Sequence, residues 1–108
     1  MSSDPFRALG DPHRRAIVEL LGSGPRSVRQ IADELPISRP AVSRHLRLLK
    51  DAGLVIDESR GAQRLYQLDR VGVEAAQEFL AEVWGEAATR FRIFAENTKP
   101  ARRSPPRR

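Results

Sequence analysis

With 108 residues, 40% of them hydrophobic, the chain suffices for one modest domain, and its lack of cysteine excludes disulfides, thiolate metal sites and a cysteine nucleophile. Its net charge of +5 resides in the segment Lys99–Arg108, which holds five basic residues and no acidic one, so the remaining body is formally neutral with 14 basic and 14 acidic side chains. No apolar run approaches the roughly 20 residues of a membrane span and the N-terminus lacks a signal-peptide core, which predicts a cytoplasmic protein that does not enter a membrane.

The first third of the sequence predicts three helices from their capping residues. An Asp-Pro pair occurs at residues 4–5 and again at 11–12, and each predicts a helix start, because aspartate caps a helix and proline is tolerated in its first turn. The second helix is expected to run to about Leu21, where "GSGP" ends it. Ser27, followed three residues later by Gln30, fits the capping box of a short third helix.

A fourth helix is predicted to begin with Ser38 as its N-cap and to end at Gly53. On a helical wheel one side is apolar, with Val42, Leu46 and Leu49. The opposite side carries Pro40, Ser43, Arg44 and Arg47. Asp51 is the only acid between Ile37 and Val55, whereas a solvated face, the alternative interpretation, usually mixes both charge signs. Because arginine reaches guanine edges or grips phosphates, this helix is predicted to read the major groove of DNA.

After this helix the pattern alternates, which is typical of strands. Leu54–Ser59 and Gln63–Leu68 predict a β-hairpin with a tight turn at residues 60–62, which would be the wing of a winged helix-turn-helix. The residues predicted to touch the DNA backbone or minor groove from this hairpin are Arg60, Gln63 and Arg64. A plain exposed turn is the alternative, because Asp57 and Glu58 offset the basic charge.

A long amphipathic helix is predicted from about Val71 to Asn97. Its apolar stripe is longer than a small core can cover, and soluble monomers avoid large exposed apolar patches, so we infer a two-fold dimer in which this helix meets its mate. The alternative is that the stripe packs back on its own domain. The residues predicted to form the dimer interface are Phe6, Leu9, Val73, Leu80, Val83, Trp84, Ala87 and Phe91.

The predicted fold class is therefore mainly α with a small β-hairpin, a winged helix-turn-helix with a long C-terminal dimerisation helix. We expect one DNA-binding and dimerisation domain over residues 1–98. Residues 99–108 form a basic tail, rich in proline and arginine, that is predicted to be disordered.

Four segments carry a resemblance to a known family: "DPHRRAIVELL", "SVRQIADEL", "ISRPAVSRHLRLLKDAGLV" and "GAQRLYQLD". In this order they resemble the arsenical-resistance repressor (ArsR) family of bacterial winged helix-turn-helix regulators, over roughly Asp4 to Phe94. The resemblance implies a homodimer joined by its first and last helices, a palindromic operator near a promoter, and repression by exclusion of polymerase. The DNA-reading residues that it implies are Ser38, Arg39, Pro40, Ser43, Arg44 and Arg47.

Many members of that family sense metals, either through cysteines in the short helix before the reading helix or through Asp/His and His/Glu pairs on the last helix. Here the short helix has no cysteine and the last helix has no histidine, so neither a metal site nor a cofactor is predicted. We expect His13 and His45 to be isolated from other metal ligands. They therefore do not supply the three or four converging ligands that zinc normally needs. His45 is expected to pack at the margin of the apolar face or to bond to a phosphate.

The predicted function is a dimeric, sequence-specific repressor without metal sensing. Its control by expression level, autoregulation or an unidentified small-molecule effector is left open. An enzyme is not predicted, because the glutamates at 74, 78, 82 and 86 fit a solvated helix stripe and no glycine-rich phosphate loop is present. A winged-helix protein-interaction or dimerisation module is the alternative. RNA binding is disfavoured, because the reading face lacks aromatic residues to stack on unpaired bases.

Overall fold

The computed structural model describes residues 4–98, and the chain forms two compact units, one ending at Ala76 and the other beginning at Gln77. The elements follow in the order α1 (Pro5–Ala8), α2 (Pro12–Leu21), α3 (Val28–Glu34), α4 (Arg39–Asp51), β1 (Val55–Arg60), β2 (Gln63–Leu68) and α5 (Arg70–Thr98). This order confirms the predicted fold class, a winged helix-turn-helix with a long last helix. The predicted tail at 99–108 lies outside the described residues.

The capping residues start the helices where the sequence predicts. The side chain of Asp11 accepts hydrogen bonds from the backbone N–H groups that open α2, and Ser27 and Gln30 form the reciprocal bonds of a capping box at α3. These bonds satisfy donors that a helix start leaves unpaired. The N-cap residues of the first four helices are Asp4, Asp11, Ser27 and Ser38.

The end of α4 is fixed by Gly53, whose φ of 82° lies in the left-handed region that favours glycine. The N–H of Gly53 donates to the carbonyl of Lys50 at 3.0 Å, and the N–H of Leu54 donates to Leu49 at 3.0 Å. This pair of bonds is a Schellman motif, which confirms that Gly53 terminates the helix. The chain therefore turns at once from α4 into the hairpin.

Gly72, in the first turn of α5, lies against the same loop. A Cβ atom at Gly72 would be 1.7 Å from the carbonyl oxygen of Gly53, far inside any van der Waals contact. Taken alone, a glycine inside a helix indicates only a locally weaker helix. The structure shows instead that a side chain is excluded there because the α4–β1 loop passes so closely.

The core of the first unit lies between α2, α3 and α4. Its fully buried side chains, all less than 2% exposed, are Ile17, Ile31, Val42, Leu46, Leu49 and Val55. The helix-turn-helix consists of α3 and α4, joined by residues 35–38. Because α4 contributes three of the six most buried side chains, its position on the rest of the unit is firmly set.

The wing differs slightly from the prediction. β1 begins at Val55 and extends to Arg60, so the connection is a two-residue turn of Gly61 and Ala62 rather than three residues. Gly61 has a φ of 63°, which two-residue hairpin turns require at their first position. The predicted strand bounds at 54–59 and the three-residue turn are therefore wrong by one residue.

The wing is also tied to the loop that precedes α3. Arg26 and Tyr66 exchange two backbone hydrogen bonds, of 2.9 and 2.8 Å, across the free edge of β2. Tyr66 is half-buried and packs against the core. This bridge fixes the wing to the body of the unit at the edge that faces away from β1. None of the helices from residue 4 to 98 combines the length and the apolar character needed to cross a membrane.

Candidate nucleic-acid interface

Helix α4 has two chemically distinct faces, as the sequence predicts. Val42, Leu46 and Leu49 are at most 1% exposed and hold the helix against the core. The residues that the sequence assigns to DNA contact on this helix are all exposed, namely Ser38, Arg39, Pro40, Ser43, Arg44 and Arg47. The buried face therefore fixes the orientation in which the helix presents its polar and basic face to solvent.

Within the part of the chain that the structure describes, the guanidinium groups on this face have no neutralising partner. The side chains of Arg39, Arg44 and Arg47 form no hydrogen bond or ion pair with any residue from 4 to 98. Ser43 lies among them and is too short to hold the helix away from a partner. An exposed row of uncompensated cations on a rigid helix creates a local positive potential that attracts a polyanion.

The start of α4 is compact. Ser38 uses its hydroxyl oxygen as the N-cap, accepting from the N–H of Ala41 at 3.3 Å, and Pro40 follows in the first turn. The helix N-terminus carries partial positive charge from its unpaired N–H groups, so it favours an approaching phosphate.

The two wing arginines predicted to touch DNA have intramolecular partners. Arg60 donates to Glu58 at 2.8 Å, and Arg64 donates to Asp57 at 2.6 Å. Gln63 is exposed. The wing arginines therefore present less free positive charge than those of α4, although both remain more than half exposed.

Asp57 connects the wing to the reading helix. Its carboxylate accepts from Lys50 at 2.7 Å and from Arg64 at 2.6 Å, and its side chain is only 8% exposed. The hydrogen bonds from Lys50 and Arg64 lower the pKa of Asp57 below its ordinary value. The sequence treats Asp57 only as a charge that offsets its neighbours, whereas the structure shows it joining the C-terminal end of α4 to both strands of the hairpin.

We expect Asp57→Asn to lower the free energy of unfolding by about 1 kcal/mol at neutral pH, because it removes two charge-assisted bonds whose cationic partners are half exposed and therefore screened. The pKa of Asp57 is lower in the folded chain than in the unfolded chain. Its contribution is therefore complete above about pH 4 and is lost as the pH falls through the folded-state pKa. Urea unfolding across this range should show the wild-type and variant curves converging in acid. A constant gap between them would contradict the assigned role.

A basic cleft lies beside the start of α4. It has a volume of about 360 Å³, and its polar walls include Arg29 of α3, Arg39 of α4, and Gln63 and Arg64 of the wing. Among the described residues, no carboxylate lines it. Sequence reasoning did not select Arg29, because α3 looks like a helix that only supports α4. Arg29 lies two residues after the N-cap Ser27, and it lines the same cleft as Arg39 at the start of the reading helix.

Known proteins of similar sequence and fold agree with this arrangement of a short helix, a basic helix packed on the core, and a wing. The family model described as "Bacterial regulatory protein, arsR family" matches residues 11–57. The HTH-type transcriptional regulator Rv2034 of Mycobacterium tuberculosis is 49% identical over 86 residues, which cover 80% of either chain. The chain belongs to the ArsR family.

Two further relatives of this ArsR-family chain bear on its function. The transcriptional repressor SdpR of Bacillus subtilis is 39% identical over 64 residues, 59% of this chain and 71% of its own. The homodimeric winged helix-turn-helix DNA-binding domain Mb0332 of Mycobacterium bovis, a possible ArsR-family regulator solved by NMR, superposes with a TM-score of 0.61 at 30% identity, covering 75% and 74% of the two chains. ArsR-family proteins are DNA-binding transcriptional regulators and not enzymes, so the prediction of a non-enzymatic function is confirmed.

In this ArsR-family chain the predicted dimer residues fall into two groups. Leu80, Val83, Trp84 and Phe91 of the second unit are between 47% and 71% exposed, and Ala87 is exposed too. By contrast, Leu9 and Val73 are half-buried against the core of the first unit, and Phe6 is 37% exposed. The exposed group forms an apolar surface on α5 that is unusual for a soluble chain.

The structure brings the two histidines together, contrary to the prediction that they are isolated. Their ring centroids are 5.7 Å apart, and a carboxylate oxygen of Asp11 lies within 4.8 Å of a ring nitrogen of each. Arg14 donates from Nε to the carbonyl of Ala8 at 2.7 Å and places Nη1 3.3 Å from Nδ1 of His45. Burial lowers the pKa of His45, in agreement with its predicted place at the margin of the apolar face. No sequence pattern links residues so far apart, which is why the pairing was missed.

Proposed function

We propose that this regulator is a homodimeric repressor that binds a palindromic operator, with α4 of each protomer in a major groove. The observation that carries the proposal is the row of free guanidinium groups on a helix that is anchored by Val42, Leu46 and Leu49. Such a helix can enter the groove without distortion of the core, and its arginines can contact bases bidentately.

Homodimer formation is supported by the apolar surface of α5. Exposed side chains as large as Trp84 and Phe91 are stabilised when a second copy covers them. A two-fold axis makes both copies use the same surface, and it sets the two reading helices about one DNA turn, roughly 34 Å, apart. A two-fold protein of this kind matches an operator whose halves are inverted repeats.

Repression is supported by the similarity to a transcriptional repressor of Bacillus subtilis. A dimer seated across two successive major grooves would occupy the promoter segment that polymerase needs. We also propose that operator binding requires no metal at the two positions where sensors of the family hold one, because α3 lacks cysteine and α5 lacks histidine.

The reading helix is tested by replacing its arginines singly. Arg44→Ala and Arg47→Ala should each weaken operator binding by about 1–3 kcal/mol when the arginine contacts a base, and should relax the preference for that base. Titration of a labelled operator, followed by fluorescence anisotropy, measures both effects. Unchanged operator binding by both variants would remove α4 as the reading helix.

The matched control is Arg92→Ala, which removes one exposed guanidinium from α5 and changes the net charge by the same amount. Its operator affinity should remain close to that of the wild type. An equal loss in the control would mean that net charge, rather than the α4 surface, governs the affinity.

We propose that Arg29 extends the DNA surface from α4 to α3 by contacting a backbone phosphate at the basic cleft. Arg29→Ala should weaken binding to all sequences alike and reduce the slope of log affinity against log salt by about 0.9. Arg29→Lys should keep most of the salt slope. If Arg29→Ala leaves both the affinity and the slope unchanged while the α4 variants lose affinity, the phosphate contact proposed for Arg29 is contradicted. The assignment of α4 as the reading helix then still stands.

A further inference from the structure

The chain contains two histidines, and both lie in one cluster with a carboxylate. We propose that Asp11, His13 and His45 form a site for a divalent transition-metal ion that links the start of α2 to the reading helix α4. This site differs from the two positions where the sequence excludes a metal, and it replaces the expectation that the chain has none. It is independent of the proposed function.

Three potential metal ligands, contributed by the start of α2 and by α4, lie close together. One ligand atom from each of Asp11, His13 and His45 lies within 4.8 Å of the other two. Zinc holds nitrogen and oxygen ligands at about 2.0–2.2 Å, so two ligand atoms of one tetrahedral site are roughly 3.5 Å apart. Closing the remaining gap of about 1 Å needs only side-chain rotation, and His13 is exposed and able to turn.

Asp11 keeps its capping role when it binds a metal. Its Oδ1 accepts from the N–H groups of His13 at 2.8 Å and Arg14 at 3.2 Å. The second carboxylate oxygen is not used by these bonds and remains for a ligand bond.

The donor set selects the class of ion. Two imidazole nitrogens and one carboxylate oxygen suit zinc, cobalt, nickel or copper, whereas magnesium and calcium prefer oxygen alone. Imidazole binds a metal in its neutral form. Three protein ligands leave the fourth position of a tetrahedral site to water.

Arg14 limits the affinity of this site. Its Nη1 lies 3.3 Å from Nδ1 of His45, so binding through Nδ1 displaces this contact, whereas binding through Nε2 leaves it in place. The bond from its Nε to Ala8 at 2.7 Å holds the guanidinium nearby in either case. The negative charge of Asp11 offsets this neighbouring cation. We therefore expect weaker binding than in structural zinc sites with four protein ligands.

The test is titration of the full-length, tag-free protein with cobalt(II) chloride and with zinc chloride, after treatment with a chelator and its removal. We expect one metal ion per chain by calorimetry, a cobalt absorption band typical of a nitrogen and oxygen site, and a rise in Tm. His13→Gln and Asp11→Asn should each weaken binding at least tenfold. Asparagine retains the N-cap oxygen, so Asp11→Asn separates metal binding from helix capping.

Asp4→Asn is the matched control, because Asp4 caps α1 in the same Asp-Pro context and belongs to no such cluster within residues 4–98. It should bind cobalt as the wild type does. The proposal is overturned if the wild type binds less than one cobalt ion per chain, or if His13→Gln and Asp11→Asn bind it unchanged. That result would leave the proposal of operator binding standing, because operator binding by the metal-free protein is measured separately.

Discussion

The double variant Leu80→Glu/Val83→Glu should be monomeric and should lose operator affinity by about 100-fold or more. Both side chains belong to the exposed apolar surface of α5. A dimer interface there would bring four new carboxylates together in a desolvated region, which is strongly unfavourable. Without the dimer the two reading helices bind independently, and the gain of roughly 100- to 10,000-fold from linking two half-site contacts is lost.

Light scattering after size-exclusion chromatography measures the mass of this variant, and operator titration measures its affinity. The control is Ala75→Glu/Thr89→Glu, which adds the same charge at exposed positions that share the helical face of Glu82. The control should remain dimeric. A Leu80→Glu/Val83→Glu protein that is still dimeric would contradict the proposed interface.

Gly72→Ala should destabilise the protein by about 3 kcal/mol, the upper range for an overpacked site. Alanine in place of glycine normally stabilises a helix by up to about 1 kcal/mol, because it restricts the unfolded chain. At Gly72 we expect the opposite effect, a loss of stability when alanine replaces glycine. The new methyl group would lie 1.7 Å from the backbone oxygen of Gly53, and no side-chain rotation can relieve a contact with backbone.

Gly85, in the same helix, provides the matched control. A Cβ atom there has no heavy atom within 4 Å among the described residues, so Gly85→Ala should raise the free energy of unfolding by about 0.5–1 kcal/mol. Urea unfolding followed by circular dichroism compares both variants with the wild type. A Gly72→Ala protein as stable as the wild type would contradict this prediction, because it would show that the α4–β1 loop can shift at little cost in free energy.

The features that sequence reasoning predicted correctly are those encoded within a few residues. The caps at Asp11 and Ser27, the terminating Gly53 and the two faces of α4 each depend on neighbours in the chain, and the structure confirms them. Capping and amphipathic periodicity are local effects. They suffice to identify the order of helices and hairpin, and with it the fold class.

The features that were missed depend on residues far apart in sequence. The approach of Gly72 to Gly53, the backbone bridge from Arg26 to Tyr66 and the meeting of His13 with the reading helix all require the folded arrangement. A charge pattern likewise cannot show which cations are paired. The sequence indicates that Asp57 and Glu58 offset the basic charge of the wing, but the individual pairs are visible only in the structure. Arg60 pairs with Glu58 and Arg64 with Asp57, whereas the α4 arginines have no protein partner within residues 4–98.

The most direct test of a dimeric, sequence-reading repressor is a competition titration. DNA fragments selected from the genome by the purified protein would be compared with scrambled fragments of equal length and composition, at about 150 mM salt so that non-specific attraction is screened. We expect a selected sequence with inverted-repeat symmetry that binds on the order of 1,000-fold more tightly than its scrambled counterpart. Equal affinity for the selected and scrambled fragments would contradict this expectation.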